Sequence, residues 1–223
     1  MTTDSASADA FIDLHGERLM LMPERAAFWY GPATLLIADP HWGKAATFRA
    51  SGIPVPSGTT RDAVERLSSA VQRTSAERVV FLGDLLHAKE GRSNDLFLAL
   101  AGWRASNPAV NVLLVRGNHD RRAGDPPQEL KIDCVNAPHA AGPFILAHHP
   151  AVDPTGYVIA GHVHPGIRLH GRGGQRARLA CFHIGRTNAI LPAFGDFTGL
   201  ADVEPEEGDT VYAIAGDRVI RVY

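Results

Sequence analysis

Apolar residues along this chain fall into short runs bounded by turn-forming residues, and the spacing inside each run assigns it to a strand or a helix. A hairpin-like stretch comes first, Phe11–Leu14, a His15-Gly16 turn and Arg18–Met22, followed by strand candidates at Ala26–Tyr30 and Thr34–Ala38. A helix is predicted from Thr59, where Thr59 and Asp62 have capping-box spacing and Ala63, Val64, Leu67, Ala70 and Val71 share one face. Arg78–Leu82 is a continuous apolar run of the buried-strand kind. Ser93 is a good N-cap for a second helix, with Leu96, Phe97, Leu100 and Trp103 along one side. Val110–Val115, Phe144–Ala147 and Tyr157–Ala160 are further strands. Helical signals then stop, and Leu179–Ile184, Ala189–Leu191, Val211–Ile214 and Arg218–Val222 read as strands between Gly-rich turns. The order β-α-β-α-β followed by mostly β predicts an α/β fold with strands inside and helices outside.

The middle strands all end in polar clusters of metal-binding types: Asp39-Pro40-His41, Gly83-Asp84, Gly117-Asn118-His119-Asp120, His148-His149 and Gly161-His162-Val163-His164. In layered α/β folds ligands collect at the carboxyl ends of strands, so these clusters are expected to converge. Every donor is oxygen or imidazole, without a thiolate, which favours manganese, iron or zinc in an open site over a sulfur-bound structural ion. Two divalent ions about 3.5–4 Å apart need a bridging carboxylate. Within the His148-His149 pair, strand alternation is expected to send the two rings to opposite faces, so that one of the two is a ligand.

Composition narrows the setting. At 223 residues one domain spanning 1–223 is expected, with residues 1–9 a disordered lead-in, since they carry neither a basic nor an apolar signal-peptide region. A net charge of −2 gives no global basic field, though a local basic stripe and bound metals would still attract phosphate. No apolar run reaches the roughly 18 residues of a membrane span. Cys134 and Cys181 read as free thiols of a cytoplasmic protein. Histidine is over-represented at 11; His15, His139, His170 and His183 have no motif around them and read as surface or satisfied core residues. Lys44 and Arg121 are placed to meet substrate phosphate or to be solvated. Arg168, Arg172, Arg176 and Arg178, around Gly171, Gly173 and Gly174, form a basic hairpin that could track a phosphate backbone or be a solvated turn.

The ordered set D-x-H, G-D, G-N-H-D, H, G-H-x-H, from Asp39 to His164, resembles the calcineurin-like metallophosphoesterase superfamily. The resemblance implies a four-layer αββα sandwich, two central mixed β-sheets flanked by helices. It implies that Asp39, His41, Asp84 and His164 bind one ion, and that Asp84 bridges to a second held also by Asn118, His148 and His162. Metal-activated water would attack phosphorus in line, with His119 as general acid or electrostatic stabiliser beside the leaving oxygen and Asp120 orienting it. His87, three residues after Asp84, stands where nucleases related to the double-strand-break repair nuclease place an active-site histidine, which favours a phosphodiester.

A closer resemblance is to the ligase-associated metallophosphoesterases. It is carried by Asp39-Pro40-His41-Trp42-Gly43-Lys44, by the run 45–56, by Arg116-Gly117-Asn118-His119-Asp120-Arg121, by Ala123–Pro127 and by Leu191–Gly199. Pro40 stands where that family's pattern has Leu; its ring fixes φ without removing a ligand. The resemblance implies a manganese-dependent DNA endonuclease of bacterial DNA repair, cleaving single-stranded or damaged DNA and functionally associated with a DNA ligase, a helicase and an exonuclease. A small-molecule phosphohydrolase, such as a sugar-lipid or nucleotide pyrophosphatase, and a non-catalytic scaffold are the competing readings. The first needs an apolar insertion that the sequence does not display, and the second should have lost ligands that are all present.

Overall fold

The computed structural model describes residues 8–55, 58–171 and 173–223. The first sheet has seven strands in chain order: β1 (Ala10–Leu14), β2 (Glu17–Met22), β3 (Ala26–Trp29), β4 (Thr34–Ile37), β5 (Arg78–Leu82), β6 (Asn111–Arg116) and β7 (Asp133–Asn136). Pairing is antiparallel from β1 to β4 and parallel from β4 to β7. Parallel neighbours need crossovers, and these carry α1 (Lys44–Ala50), α2 (Thr59–Thr74), α3 (Asn94–Ser106) and α4 (Asn118–Ala123). The second sheet holds β8 (His139–Ala141), β9 (Phe144–Leu146), β10 (Tyr157–Ala160), β11 (Pro165–His170), β12 (Arg176–Ile184), β13 (Asn188–Ile190) and β14 (Ala201–Asp202), in the order β14-β11-β12-β13-β10-β9-β8. The hairpin of β15 (Thr210–Ala215) and β16 (Arg218–Arg221) hangs from β12. The described residues from Asp133 onward carry no α-helix, so the helical layer belongs to the first sheet.

Strand periodicity separates two cores. Leu35, Ile37, Val79, Phe81, Val112 and Leu114 join a cluster that includes Ala63, Leu67, Ala70, Leu96, Leu100 and Trp103 of α2 and α3. Their neighbours Leu36, Ala38, Val80, Leu82, Leu113 and Val115 join a cluster with Phe144, Leu146, Tyr157, Ile159 and Phe182 of the second sheet. Because successive side chains point to opposite faces, a continuous apolar run fills both layers, and the two mixed sheets are pressed together at their centre.

Local signals fared differently. Ser93 caps α3, its Oγ accepting from the Leu96 N–H at 3.3 Å. The Thr59–Asp62 capping box does not form: the N-cap is Gly58, in the left-handed region at φ 99°, so Thr59 already has helical backbone. Strands β7, β8, β11 and β14 lacked a clean apolar pattern because they are half-exposed edge or hairpin strands. Of the expected lead-in, residues 1–7 lie outside the described residues. Ala8 and Asp9 are held, Ala8 by the Val219 N–H donating to its carbonyl at 2.8 Å and Asp9 by a two-pronged pair with Arg73 at 2.7 and 2.8 Å. No helix among the described residues is long and apolar enough to cross a membrane.

Candidate metal centre

Strands β4, β5 and β6 run parallel, as do β9 and β10, and each delivers its polar cluster just past its carboxyl end. The chain turns sharply there. Asp39, His41, Asp84, His162 and His164 have φ of 51°, 46°, 50°, 68° and 53°, in the left-handed region that non-glycine residues rarely occupy. Such backbone is held only when its surroundings over-determine it, and it clusters at functional sites. The glycines of the motifs permit the crowding. A Cβ on Gly83, at φ 84°, would collide with the His148 ring, and one on Gly161 with the Asp39 carboxylate.

The converging side chains form two linked groups. On one side His41 Nε2 lies 3.3 Å from His164 Nε2 and 3.8 Å from Asp84 Oδ2, and His164 Nε2 lies 3.7 Å from Asp39 Oδ2. On the other, His148 Nε2 lies 2.9 Å from Asn118 Oδ1, 3.1 Å from His162 Nδ1 and 3.3 Å from Asp84 Oδ2. Asp84 therefore faces both groups. Backbone amides aim the carboxylates: the His119 N–H donates to Asp84 Oδ1 at 2.8 Å and the His162 N–H to Asp39 Oδ2 at 2.7 Å. The His148 Nδ1–H donates to the Leu82 carbonyl at 3.1 Å, which orients the ring and turns Nε2 into the site. Against burial, Asp84 beside it favours the protonated ring in the absence of a cation, and a cation that displaces that proton would meet the Nε2 lone pair.

These donors fit divalent cations. Asp39 is fully buried, and its Oδ1 has no hydrogen-bond partner. Burial pushes its carboxyl up to about 8, with His148 opposing and Asp84 adding to the rise. A buried carboxylate left so poorly compensated is what a cation stabilises. Burial also acts on Asp84, but hydrogen bonding and charge from His148 and the His119 amide prevail and hold it down at about 2. Burial lowers His41 to about 2 and His164 to about 4, leaving neutral imidazoles with lone pairs to offer.

His119 is set apart from the donor groups. Its Nδ1–H donates to the His87 carbonyl at 2.6 Å, its Nε2 lies 4.0 Å from Asp84 Oδ2, and the His87 and His119 rings stack at 4.9 Å. His87 joins the cluster: its Nδ1 is 3.3 Å from His41 Nδ1, and burial lowers it to about 4. Asp120 does not orient the His119 ring. Its buried carboxylate accepts the Gly117 N–H at 2.9 Å and the Leu86 N–H at 3.1 Å, tying the loop after β6 to the loop after β5, while the His87 carbonyl takes the ring proton.

The His148-His149 pair also departs from expectation. β9 ends at Leu146, so strand alternation no longer governs these residues. Their rings lie 4.7 Å apart, and His149 stands 4.0 Å from the His162 ring on the exposed rim while His148 is buried. His149 is thus a member of the cluster that alternation concealed. Lys44, at the start of α1, lines a cavity with His41 and takes part in no ion pair among the described residues. Arg121 is exposed, its charge felt at His149. Arg172 lies outside the described residues. In the basic hairpin of β11 and β12, Arg168 and Arg178 both pair with Asp202, at 2.7 and 2.6 Å, so one carboxylate offsets part of their charge. His183 pairs with Asp209 at 2.7 Å and His15 packs on Tyr157, ordinary structural roles.

Comparison with known proteins agrees with this geometry. The crystal structure of the Pseudomonas putida nuclease MPE superposes with a TM-score of 0.85 at 37% identity, covering 96% of this chain and 100% of that one. A protein of unknown function, AQ665 from Aquifex aeolicus, and Yfce, a phosphoesterase from E. coli, match more distantly, at 18% and 15% identity with TM-scores of 0.39 and 0.42. They cover 63% and 85% of this chain, and 81% and 97% of their own. No curated protein matches the chain significantly. The calcineurin-like phosphoesterase model matches residues 33–185, which contain every donor described above. The chain belongs to the calcineurin-like phosphoesterase family and is a metal-dependent phosphoesterase.

Proposed function

We propose that this protein is a binuclear phosphodiesterase that acts on DNA as an endonuclease. Asp39, His41, Asp84 and His164 hold one divalent ion, and Asp84, Asn118, His148 and His162 the other. Manganese is the ion we assign, with iron or zinc the alternatives for the same oxygen and imidazole donors. When bound, such ions supply the charge that activates water for in-line attack and that stabilises the phosphoryl oxygens. The observation that carries the reading is the near-full-length likeness to a nuclease at 37% identity.

The chain's own groups fit a diester. Pinned through Nδ1, His119 presents Nε2 to the site, the atom that delivers a proton to the leaving oxygen. His87 stacks on that ring and contacts His41, so it positions both. Lys44 at the rim adds a cation for substrate phosphate. The role in bacterial DNA repair and the functional link to a ligase, a helicase and an exonuclease rest on the family resemblance, and the cytoplasmic location on the reading of Cys134 and Cys181 as free thiols.

The test is incubation of the manganese-loaded protein with circular single-stranded DNA, with linear and shortened products expected. Intact circles alongside rapid turnover of a nucleotide or lipid diphosphate would refute the proposal.

A further inference from the structure

Phe197 is out of keeping with its surroundings. Its ring is 47% exposed, among the large apolar side chains left in solvent, and its backbone has φ 61°, where a bulky aromatic is a genuine outlier. Glycine or asparagine would take that conformation at less cost, and a half-exposed ring contributes little to the core. The segment around it is nevertheless held firmly. The Phe194 and Gly195 N–H groups donate to the Ala38 and Asp39 carbonyls at 2.8 and 3.1 Å, and the Ala201 N–H donates to the His164 carbonyl at 2.9 Å. Between those anchors Arg66 donates to the Phe194 carbonyl at 2.6 Å and pairs with Asp196 at 3.2 Å, and Arg25 pairs with Asp196 at 3.2 Å as well. Both ends of the segment are thus bolted to loops that carry candidate ligands, Asp39 and His164, and the strained residue lies between them.

Its position is beside the loop that carries His41. Phe197 lines one cavity together with His41 and Lys44, and a second, of about 270 Å³, with Arg25, Arg178 and Leu200. Arg25 and Arg178 have carboxylate partners in Asp196 and Asp202, whereas Lys44 has no ion-pair partner among the described residues. A flat aromatic face near a cation that no carboxylate pairs among the described residues, next to a phosphate-directed centre, is the arrangement that single-stranded nucleic-acid sites use: the cation takes the backbone and the ring takes a base. A duplex would keep its bases stacked on one another and leave the ring idle.

We propose that the Phe197 ring is a stacking platform for a nucleobase next to the phosphate that is cut, and that it makes this site select unpaired strands. This rests on the reading of the protein as a DNA endonuclease. Stacking is with the π-face, so any of the four bases serves and no sequence preference follows.

The experiment measures KM on single-stranded oligonucleotides bearing one cleavable phosphodiester, all others being methylphosphonates, with either normal bases or an abasic tetrahydrofuran on each side of it. Wild-type protein, Phe197→Ala, Phe197→Leu and Phe197→Trp are compared. Wild type should lose about tenfold in KM when the flanking base is removed, of the order one stacked base contributes. Phe197→Ala and Phe197→Leu should show the same loss on the normal strand and no further loss on the abasic one, and Phe197→Trp should restore wild-type behaviour. Equal effects of the substitutions on both strands, or none on either, overturn the proposal. Failure of the wild type to cut any strand, with manganese bound, would instead remove the endonuclease reading and this inference with it.

Discussion

Replacing Asp39 by Asn separates what the fold wants from what the site wants. In the metal-free protein this carboxyl is fully buried, one oxygen has no hydrogen bond and only the His148 ring 3.4 Å away, and burial raises its pKa from 3.8 to about 8. An acid whose proton affinity is higher folded than unfolded binds more protons in the native state throughout that window, so stability falls as pH rises from 4 to 8. The unfavourable contribution is absent below the unfolded value and complete above the folded one. Each tenfold in proton affinity is about 1.4 kcal/mol, which sets a ceiling of about 6 kcal/mol. That value already contains the opposing charge of His148, and relaxation and water penetration around a buried charge lower the ceiling further, so a gain on the order of 3 kcal/mol is expected from the neutral amide at pH 8. The amide keeps the shape and one oxygen to accept the His162 N–H. Urea unfolding of both proteins in a chelator, from pH 4 to pH 8, should find Asp39→Asn the more stable at pH 8 and the difference vanishing toward pH 4. Adding manganese at 1,000 times the dissociation constant should reverse the order, because ligation then adds about 4.1 kcal/mol to the wild type and much less to the variant. A variant that is less stable than wild type in the chelator at pH 8, or that gains as much from manganese, would refute the argument.

Other substitutions probe the remaining parts. His119→Ala should lower kcat on a DNA diester by 10²-fold or more, the contribution typical of a positioned acid, while manganese titration calorimetry still finds both ions. Asp120→Ala strands two buried N–H groups, on Gly117 and Leu86, and should lower unfolding free energy by about 2–4 kcal/mol; Asp120→Asn, which retains an acceptor oxygen, should lose less. Gly83→Ala puts a methyl into the His148 ring at a backbone φ of 84° and should weaken binding of the second manganese by about tenfold or more, read by the same calorimetry.

The fold was legible where burial is two-sided or strictly amphipathic. Runs such as Arg78–Leu82 are apolar at every position because both faces of β5 are covered, one by helices and one by the second sheet. α2 announced itself through a stripe of Ala63, Leu67, Ala70 and Val71, all buried. The elements that escaped are those that no complete layer covers. β7 half-buries only its two middle residues, Cys134 and Val135, at a sheet edge, and α1 buries only Ala45, so neither leaves a periodic trace strong enough to read. The helical start at Thr59 shows a subtler limit, since a hydroxyl three residues before an acid has the right spacing whether or not its own backbone is the one that turns.

For the site the limit is backbone conformation. Residue types and order placed Asp39, His41, Asp84, Asn118, His148, His162 and His164 at strand ends, and the structure brings all of them together. What residue identity does not encode is that five of these seven turn in the left-handed region, which takes them out of the strand's alternation. The error over His149 has the same origin: a period of two applies only while a ladder lasts, and β9 stops two residues short of the pair. Asp120 shows the complementary case, in which a charged residue beside an imidazole spends its oxygens on backbone N–H groups and steadies the imidazole by holding the loops beneath it. A motif therefore fixes which atoms can reach the centre, and the turns fix which do. In this chain those turns are secured by glycines with no room for a Cβ and by carboxylates that accept main-chain protons, so the metal-binding geometry is assembled largely by the backbone.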